Sequence, residues 1–340
     1  MRQRILLYNM GLPLNFKYMR KETQMKIPGA ALAAITLLSM TMVVLAGDGA
    51  TTSSAPALGT GCVNDSYPAL VSGALAYAKL VPLPAGTILK AGDLVITEQE
   101  VGDQAGKAPV DVQAQLRKNQ LFLLERIATG KLLLVEARAD AVKKGKDASS
   151  ISEKDLIQSY LAGMADAVTV SDEEIADFYK SNKDAVGGAE LDKVKPQIAE
   201  YLRQQKQQEL IAQHIKTIGQ RTNIGVAADW AKAQAALAKD NPVDKARASG
   251  KPSLVDFGSK GCRPCDMLAP ILETLKKKYD GQANVLFVSV VQDQILTARY
   301  GVDSIPVQVF FDKDGKEVLR HEGFYPQEDI EKKLAELGVK

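Results

Sequence analysis

The sequence from Leu254 to Cys265, LVDFGSKGCRPC, decides the fold of the carboxyl-terminal part of the chain. It opens with an apolar segment that is typical of a buried strand and that carries one carboxylate, Asp256. Cys262 comes next, with two residues between it and Cys265. An apolar pattern at helical spacing then runs through Leu268, Ile271, Leu272 and Leu275. The stretch therefore predicts a strand, a short loop and a helix that begins at the two cysteines.

The residues beyond this helix predict the other strands and helices of one small domain. The apolar run at 285–291 indicates a second strand, and a short helix is expected at 295–300. Residues 307–311 and 318–321 flank a turn that contains Gly315, which predicts a hairpin. A last helix is indicated by the spacing of Ile330, Leu334 and Leu337. This order predicts an α/β fold with a mixed four-stranded sheet and helices on both faces.

These motifs together resemble the thioredoxin family, and the resemblance covers residues 243–340. In the family's order and spacing, they are Leu254-Val-Asp-Phe, Cys262-Arg-Pro-Cys265, Ala269-Pro-Ile-Leu, Tyr300-Gly-Val, Ser304-Ile-Pro306 and Gly323. The resemblance implies a thioredoxin fold and a thiol–disulfide oxidoreductase that acts on protein or peptide substrates with cysteines. The redox centre would be the cysteine pair itself, without a further cofactor.

The resemblance also implies a role for each site residue, and the local chemistry agrees with those roles. Cys262, at a helix start, would be stabilised as a thiolate by unpaired backbone N–H groups and would attack a substrate disulfide. Cys265 would then resolve the mixed disulfide. Asp256, buried on the preceding strand, would have a raised pKa and would relay a proton for Cys265. Pro306 would follow a cis peptide bond, and the backbone of Ile305 would pair with an extended substrate.

Two departures from the family pattern concern the surroundings of the cysteines. Family members usually carry Trp at the positions of Gly258 and Gly261, so the site is expected to be more open. Arg263 replaces the common Gly, and its charge beside Cys262 would favour the thiolate and a more oxidising couple. Pro264 fits the first turn of a helix, where its missing N–H has no partner to lose. We therefore assign Arg263 and Pro264 to redox tuning.

Other site chemistries find little support in the sequence. Besides the Cys-x-x-Cys pair, only Cys62, His214 and His321 offer nitrogen or sulfur ligands, and none has the spacing of a zinc site. No metal is therefore expected. The two histidines are expected to be structural or solvated, since His214 lies on the polar flank of a predicted helix and His321 at the end of a predicted strand. We assign no chemistry to Cys62, which is either a spare thiol or an intermolecular bridge.

The amino terminus has the pattern of an export signal. A basic segment precedes an apolar run at 27–47, which is long enough for a membrane span or a signal peptide. We predict a signal peptide or membrane anchor over 1–46, with 25–46 as the signal itself and 1–24 as an upstream extension. Residues 47–66, rich in small residues toward their start, are predicted to be a flexible tether. The protein is therefore expected in the periplasm or another extracytoplasmic compartment.

Residues 67–226 are predicted to form a mostly α-helical domain. One long helix is expected at about 112–143 and another at 191–220. Ser171 and Glu174 have the spacing of a capping box, in which each side chain binds the other's backbone N–H. The domain therefore differs in class from the carboxyl-terminal one.

This helical region resembles the amino-terminal peptide-binding domain of SurA-type periplasmic chaperones. The resemblance rests on Ile96-Thr-Glu-Gln-Glu-Val and on Val168-Thr-Val-Ser-Asp-Glu-Glu-Ile-Ala-Asp-Phe-Tyr, each followed by long helices. In that family a parvulin domain is usually inserted after the helix that here ends near Asn182. Too few residues remain there for it, so prolyl isomerisation is not expected. The region would bind polypeptides or act as a helical spacer. Residues 227–242 are predicted to be a helical connector.

The charge balance and the two resemblances limit the function. Basic and acidic residues number 43 and 41, which argues against a nucleic-acid partner. The main hypothesis is an exported oxidoreductase with a fused chaperone-like domain. The alternative is a periplasmic chaperone or assembly scaffold whose thioredoxin fold is a docking module. The sequence leaves open the direction of electron flow, the redox partner, the clients and the oligomeric state.

Overall fold

A computed structural model describes residues 61–182 and 189–340, which divide into two units. The first unit comprises Gly61–Lys239 and Asp293–Asp303. The second comprises Asp240–Gln292 and Ser304–Lys340. The predicted signal or anchor at 1–46, and the predicted tether as far as residue 60, lie outside the described residues.

The first unit combines helices with a small sheet. Its strands are β1 (Lys79–Val81), β2 (Thr87–Ala91), β3 (Leu94–Thr97) and β4 (Gly225–Ala227). Its helices up to residue 239 are α1 (Val63–Ser66), α2 (Glu98–Gly106), α3 (Val110–Lys118), α4 (Gln120–Lys143), α5 (Glu153–Ala165), α6 (Asp172–Ser181), α7 (Leu191–Arg221) and α8 (Ala228–Ala238). Its core is lined mainly by α4, whose buried side chains include Leu121, Leu124 and Leu133.

The sheet of the first unit has the strand order β1-β4-β2-β3. β4 lies in the middle, parallel to β1 and antiparallel to β2. The sequence analysis placed no strand at β1, β2 or β4. β1 and β4 have three residues each, so neither is long enough to give a clear alternation of apolar and polar positions.

The helical predictions for the first unit are partly confirmed. The capping box of Ser171 and Glu174 is present at the start of α6, and the long helix predicted at 191–220 is α7. The helix predicted at 112–143 is wrong as a single element, because Asn119 separates α3 from α4. The Asn119 side-chain amide donates to the Gln115 carbonyl at 2.8 Å, in competition with the helical hydrogen-bond pattern.

Two predicted linker segments extend into the folded part of this unit. The tether was expected to run to residue 66, but Cys62 forms a β-bridge with Lys79 and Val63 is fully buried. The connector expected at 227–242 is helical, as α8, but it packs into the core through Ala231 and Ala235. Alanine side chains are short, so they let α8 approach the core of the unit closely. An alanine-rich composition is also typical of an exposed helical linker, and composition alone therefore did not predict this packing.

The second unit is built on a mixed sheet, which confirms the predicted fold class. Its strands are β5 (Ser253–Gly258), β6 (Asn284–Ser289), β7 (Val307–Phe311) and β8 (Glu317–Glu322). Its helices are α9 (Pro242–Arg247), α10 (Arg263–Lys278) and, after α11 (Gln294–Arg299) of the first unit, α12 (Gln327–Glu336). The strand order is β6-β5-β7-β8, with β5 parallel to β6 and the other pairs antiparallel.

The core of the second unit lies between one face of this sheet and two helices. α10 presents Leu268, Leu272 and Leu275 at helical spacing, and all three are buried. α12 adds Ile330 and Leu334, both fully buried. Every residue of β5 is buried, so this strand is the centre of the domain and positions the loop that leads to the cysteines. Among the described helices of the chain, none is long and apolar enough to cross a membrane.

Candidate active site

Cys262 and Cys265 lie at the start of α10 and form a disulfide, with their Cα atoms 5.2 Å apart. Cys262 is the residue before the first helical position, and it is partly exposed. Cys265 is 4% exposed. A substrate sulfur can therefore reach Cys262, whereas the protein encloses Cys265.

The helix start supplies the electrostatic environment of Cys262. The first backbone N–H groups of a helix have no partner within it and stabilise a negative charge. The Cys262 side chain accepts no capping hydrogen bond in the disulfide form, so its sulfur is able to take up that role as a thiolate after reduction. Pro264 lies in the first turn, as predicted, and Arg263 is exposed beside the cysteine.

Asp256 is fully buried on β5, as predicted. Gln308, also fully buried, donates from Nε2 to Oδ1 of Asp256 at 2.7 Å. Burial raises the pKa of Asp256 to about 6, and the hydrogen bond from Gln308 partly opposes this shift. Within the described part of the chain, no donor reaches Oδ2 of Asp256. One oxygen of the carboxyl group is therefore held, and the other is without a hydrogen bond.

Gly258 brings Asp256 and Cys265 to the same space. A Cβ atom at Gly258 would lie 3.4 Å from Oδ2 of Asp256 and 3.4 Å from Cβ of Cys265. It would also lie 3.1 Å from a ring carbon of Phe287, which is tighter than an ordinary contact. The glycine thus keeps room between the unpaired carboxylate oxygen and the second cysteine, and the half-exposed Phe287 ring borders that room.

Ile305 and Pro306 lie at the same edge of the sheet as the cysteines. The peptide bond between them is cis, as the resemblance to the thioredoxin family implied. It directly precedes β7, and Val307 at the start of β7 pairs with Phe257 near the end of β5. Pro306 is buried and Ile305 is partly exposed. The antiparallel pairing thus brings the cis-proline turn next to the loop that leads to Cys262.

Comparisons with known proteins agree with this architecture. A family model described as a thioredoxin-like domain matches residues 240–338. The thioredoxin of Staphylococcus saprophyticus is 44% identical over 78 residues, which are 23% of this chain and 74% of that protein. Through this domain, the chain belongs to the thioredoxin family.

Further relatives match the same thioredoxin domain. The thioredoxin of Staphylococcus epidermidis is 42% identical over 91 residues, which are 27% of this chain and 86% of that protein. A crystal structure of chloroplastic thioredoxin z is 32% identical and covers 28% of this chain and 87% of its own, with a TM-score of 0.27. The family model and the staphylococcal relatives support a redox enzyme in general terms. The SurA-type resemblance of residues 67–226 stays a prediction.

The sequence analysis did not identify two residues of this site, Phe287 and Gln308. Asp256 pairs in register with Phe287 on β6 and with Gln308 on β7. Gln308 lies in an otherwise apolar strand, Val307–Phe311, and a buried polar residue there was the available signal. Its partner is 52 residues away in the sequence, so only the strand register identifies it.

The two histidines have partners of their own. Nε2 of His214 lies 2.9 Å from the Tyr160 hydroxyl oxygen in the first unit. His321 stacks on Tyr325, with ring centroids 4.1 Å apart, and burial lowers the pKa of both histidines. Cys62 forms no disulfide. No group of three or more potential metal ligands occurs in the described residues.

Proposed function

We propose that this protein is a thiol–disulfide oxidoreductase that acts on cysteines of other proteins. The observation that carries the proposal is the arrangement of three groups at one edge of the sheet. An accessible Cys262 directly precedes a helix, a buried Cys265 is bonded to it, and the carboxylate oxygen of Asp256 that accepts no hydrogen bond borders the same space as Cys265. A two-cysteine exchange requires an accessible cysteine that attacks the substrate and a second, enclosed cysteine that resolves the mixed disulfide.

In the reducing direction, the reaction has two exchange steps. The Cys262 thiolate attacks one sulfur of a substrate disulfide, that S–S bond breaks, and the leaving substrate thiolate takes a proton. The Asp256 carboxylate then accepts the proton of the Cys265 thiol. The Cys265 sulfur attacks Sγ of Cys262, and the second substrate sulfur leaves. The substrate gains two electrons, and the protein is left as the Cys262–Cys265 disulfide. The oxidising direction reverses these steps.

The wider setting of this activity is part of the same proposal. Residues 25–46 would export the protein or anchor it, so that the thioredoxin domain works in the periplasm or another extracytoplasmic compartment. The first unit would hold unfolded clients, a role supported by the resemblance of residues 67–226 to SurA-type peptide-binding domains. A separate redox partner, not identified by the chemistry of the site, would reset the cysteine pair.

A turnover assay tests the proposal against the chaperone alternative. The full chain is assayed for reduction of insulin disulfides with dithiothreitol, and for suppression of aggregation of a cysteine-free unfolded protein. Replacing both Cys262 and Cys265 by Ser should remove the reductase activity and leave aggregation suppression intact. If the wild-type chain does not accelerate disulfide reduction, the oxidoreductase proposal is wrong.

A further inference from the structure

We infer that Gln308 is a positioning residue for Asp256: by holding Oδ1, it keeps Oδ2 directed at the space beside Cys265. The inference deepens the proposed oxidoreductase function and rests on it. Among the described residues, neither polar atom of the Gln308 side chain bonds to a cysteine, so its effect would act through the carboxyl group alone.

The surroundings of Gln308 argue that its side chain is there for Asp256. It is fully buried at the second position of β7, between Val307 and Val309, where an apolar side chain would fit the strand. Its Nε2 bonds Asp256, while its Oε1 has no hydrogen-bond partner among the described residues. Burial of an unpaired amide oxygen costs free energy. Packing alone therefore does not explain a glutamine at this position.

The geometry divides the two oxygens of the carboxyl group between two roles. The 2.7 Å bond from Gln308 fixes Oδ1 on the side of β7. Oδ2 then borders the space at Gly258 that Cβ of Cys265 also borders. A carboxyl group without this donor could rotate about its Cβ–Cγ bond and present either oxygen or neither. Gln308 thus limits the proton acceptor to one orientation.

Few charged groups besides Asp256 itself lie on the elements around it, so few could shift its pKa. Cys262 precedes α10, which contributes Cys265 together with the exposed Arg263 and Asp266 in its first turn. β6 contributes the neutral Phe287. On β8, His321 pairs in register with Gln308. α12 faces this side of the sheet with Ile330 and Leu334, which are apolar. Burial and Gln308 are the two influences on the pKa of Asp256, and Gln308 lowers it.

The test replaces Gln308 by Met, which has a similar length and shape but no donor, and follows the second exchange step against pH. Without the donor, the ionisation of Asp256 should move up by about one pH unit. The ratio of wild-type to Gln308→Met rate should then be about fivefold at pH 6 and approach one above pH 8.5. In an Asp256→Asn background, the same substitution should leave the pH profile unchanged.

Two controls separate positioning from damage to the strand. Val309→Ala removes a buried side chain of β7 that pairs with Val255, and it should not move the pH midpoint. Gln308→Leu replaces the methionine variant if that variant does not fold. An unchanged midpoint in the Gln308 variant, or an equal loss of rate in the Asp256→Asn background, would overturn the inference.

The inference can fail separately from the proposed function. A wild-type chain that exchanges no disulfides contradicts the oxidoreductase proposal, whatever Gln308 does. A carboxyl-carbon NMR titration of Asp256, in the reduced wild type and in reduced Gln308→Met, measures the pH midpoint of Asp256 without turnover. The account predicts an upward shift in the variant, and an unmoved titration would refute the positioning role.

Discussion

Glu125 in the first unit and Asp256 in the thioredoxin domain are both carboxyl groups whose pKa is raised by burial, to about 7 and about 6. Their hydrogen bonds differ. Glu125 accepts from the backbone N–H groups of Ser72, at 3.1 Å, and of Gly73, at 2.5 Å, and a further bond from Leu75 also lowers its pKa. Asp256 accepts one side-chain bond on one oxygen.

This difference fits a structural acid at Glu125 and the catalytic acid that we propose at Asp256. The bonds to Glu125 lie at the start of a 3₁₀ turn, Ala74–Tyr77, whose first N–H groups lack partners within the turn. The same turn packs tightly against α7, because a Cβ at Gly219 would lie 2.5 Å from the Ala74 carbonyl oxygen. The Glu125 carboxyl group is thus used to hold backbone N–H groups of the fold. Asp256 keeps one oxygen available beside Cys265, as a proton acceptor must.

The largest effect is expected at Cys262. Replacing it by Ser removes the attacking sulfur, so disulfide reduction should fall by at least about 10³-fold, to the uncatalysed rate. The assay is insulin reduction by the full chain. Cys62→Ser is the matched control, because Cys62 forms no disulfide, and it should retain full activity. Equal losses in the two variants would contradict the assignment.

The functional acid should give the next largest effect. Asp256→Asn keeps the shape of the side chain but cannot accept the proton of Cys265, so the rate at pH 7 should fall by about 10- to 100-fold. Asp266→Asn, at an exposed acid in the first turn of the same helix, should change the rate by less than about twofold. If the rate fell equally in both variants, the effect of Asp256 would be that of any negative charge near the site, and its role as proton acceptor would be contradicted.

The structural acid should affect stability instead of turnover. Glu125→Ala leaves the N–H groups of Ser72 and Gly73 without their acceptor, which should cost the first unit about 1–3 kcal/mol of unfolding free energy. Denaturant unfolding followed by circular dichroism measures this loss, and insulin reduction should stay unchanged. Glu136→Ala is the control on the same helix: its ion pair with the exposed Arg221 should contribute less than about 1 kcal/mol.

The pH dependence of stability gives an effect of similar size. The pKa of Glu125 rises from 4.5 to about 7 on folding, so its stabilising contribution is complete below pH 4.5 and is lost as the pH rises through 7. Glu125→Gln cannot ionise. Between pH 5 and 8, the wild type should therefore lose about 1–3 kcal/mol relative to this variant. Parallel pH curves for the two proteins would show that the glutamate does not titrate with folding.

The same two regions differ in what the sequence could predict. In the thioredoxin domain, the cysteine spacing, the carboxylate between apolar neighbours and the hairpin turn are local patterns. These patterns predicted the fold and the places of Cys262, Cys265 and Asp256 in it. The bond from Gln308 to Asp256 depends on register between distant strands. The room at Gly258 likewise depends on packing between β5 and α10. Neither has a local signature.

The first unit was predicted less well because its decisive contacts are distant in sequence. β1 pairs with β4, and Glu125 binds backbone groups of residues 72 and 73, all without a repeating pattern. The apolar spacing also continues across Asn119, which hid the break between α3 and α4. Helix starts with a side-chain cap, such as Ser171 at α6, were readable because the capping box is local.

The reduction potential of the Cys262–Cys265 couple tests the central claim most directly, by equilibration of the full chain against glutathione and dithiothreitol. An exchange centre should have a potential above about −300 mV, and Arg263 should bring it above the value of about −270 mV that is typical of thioredoxin. A potential below about −300 mV is typical of a structural disulfide. That result would contradict the account, because the pair would then stabilise the helix start and not exchange with substrates.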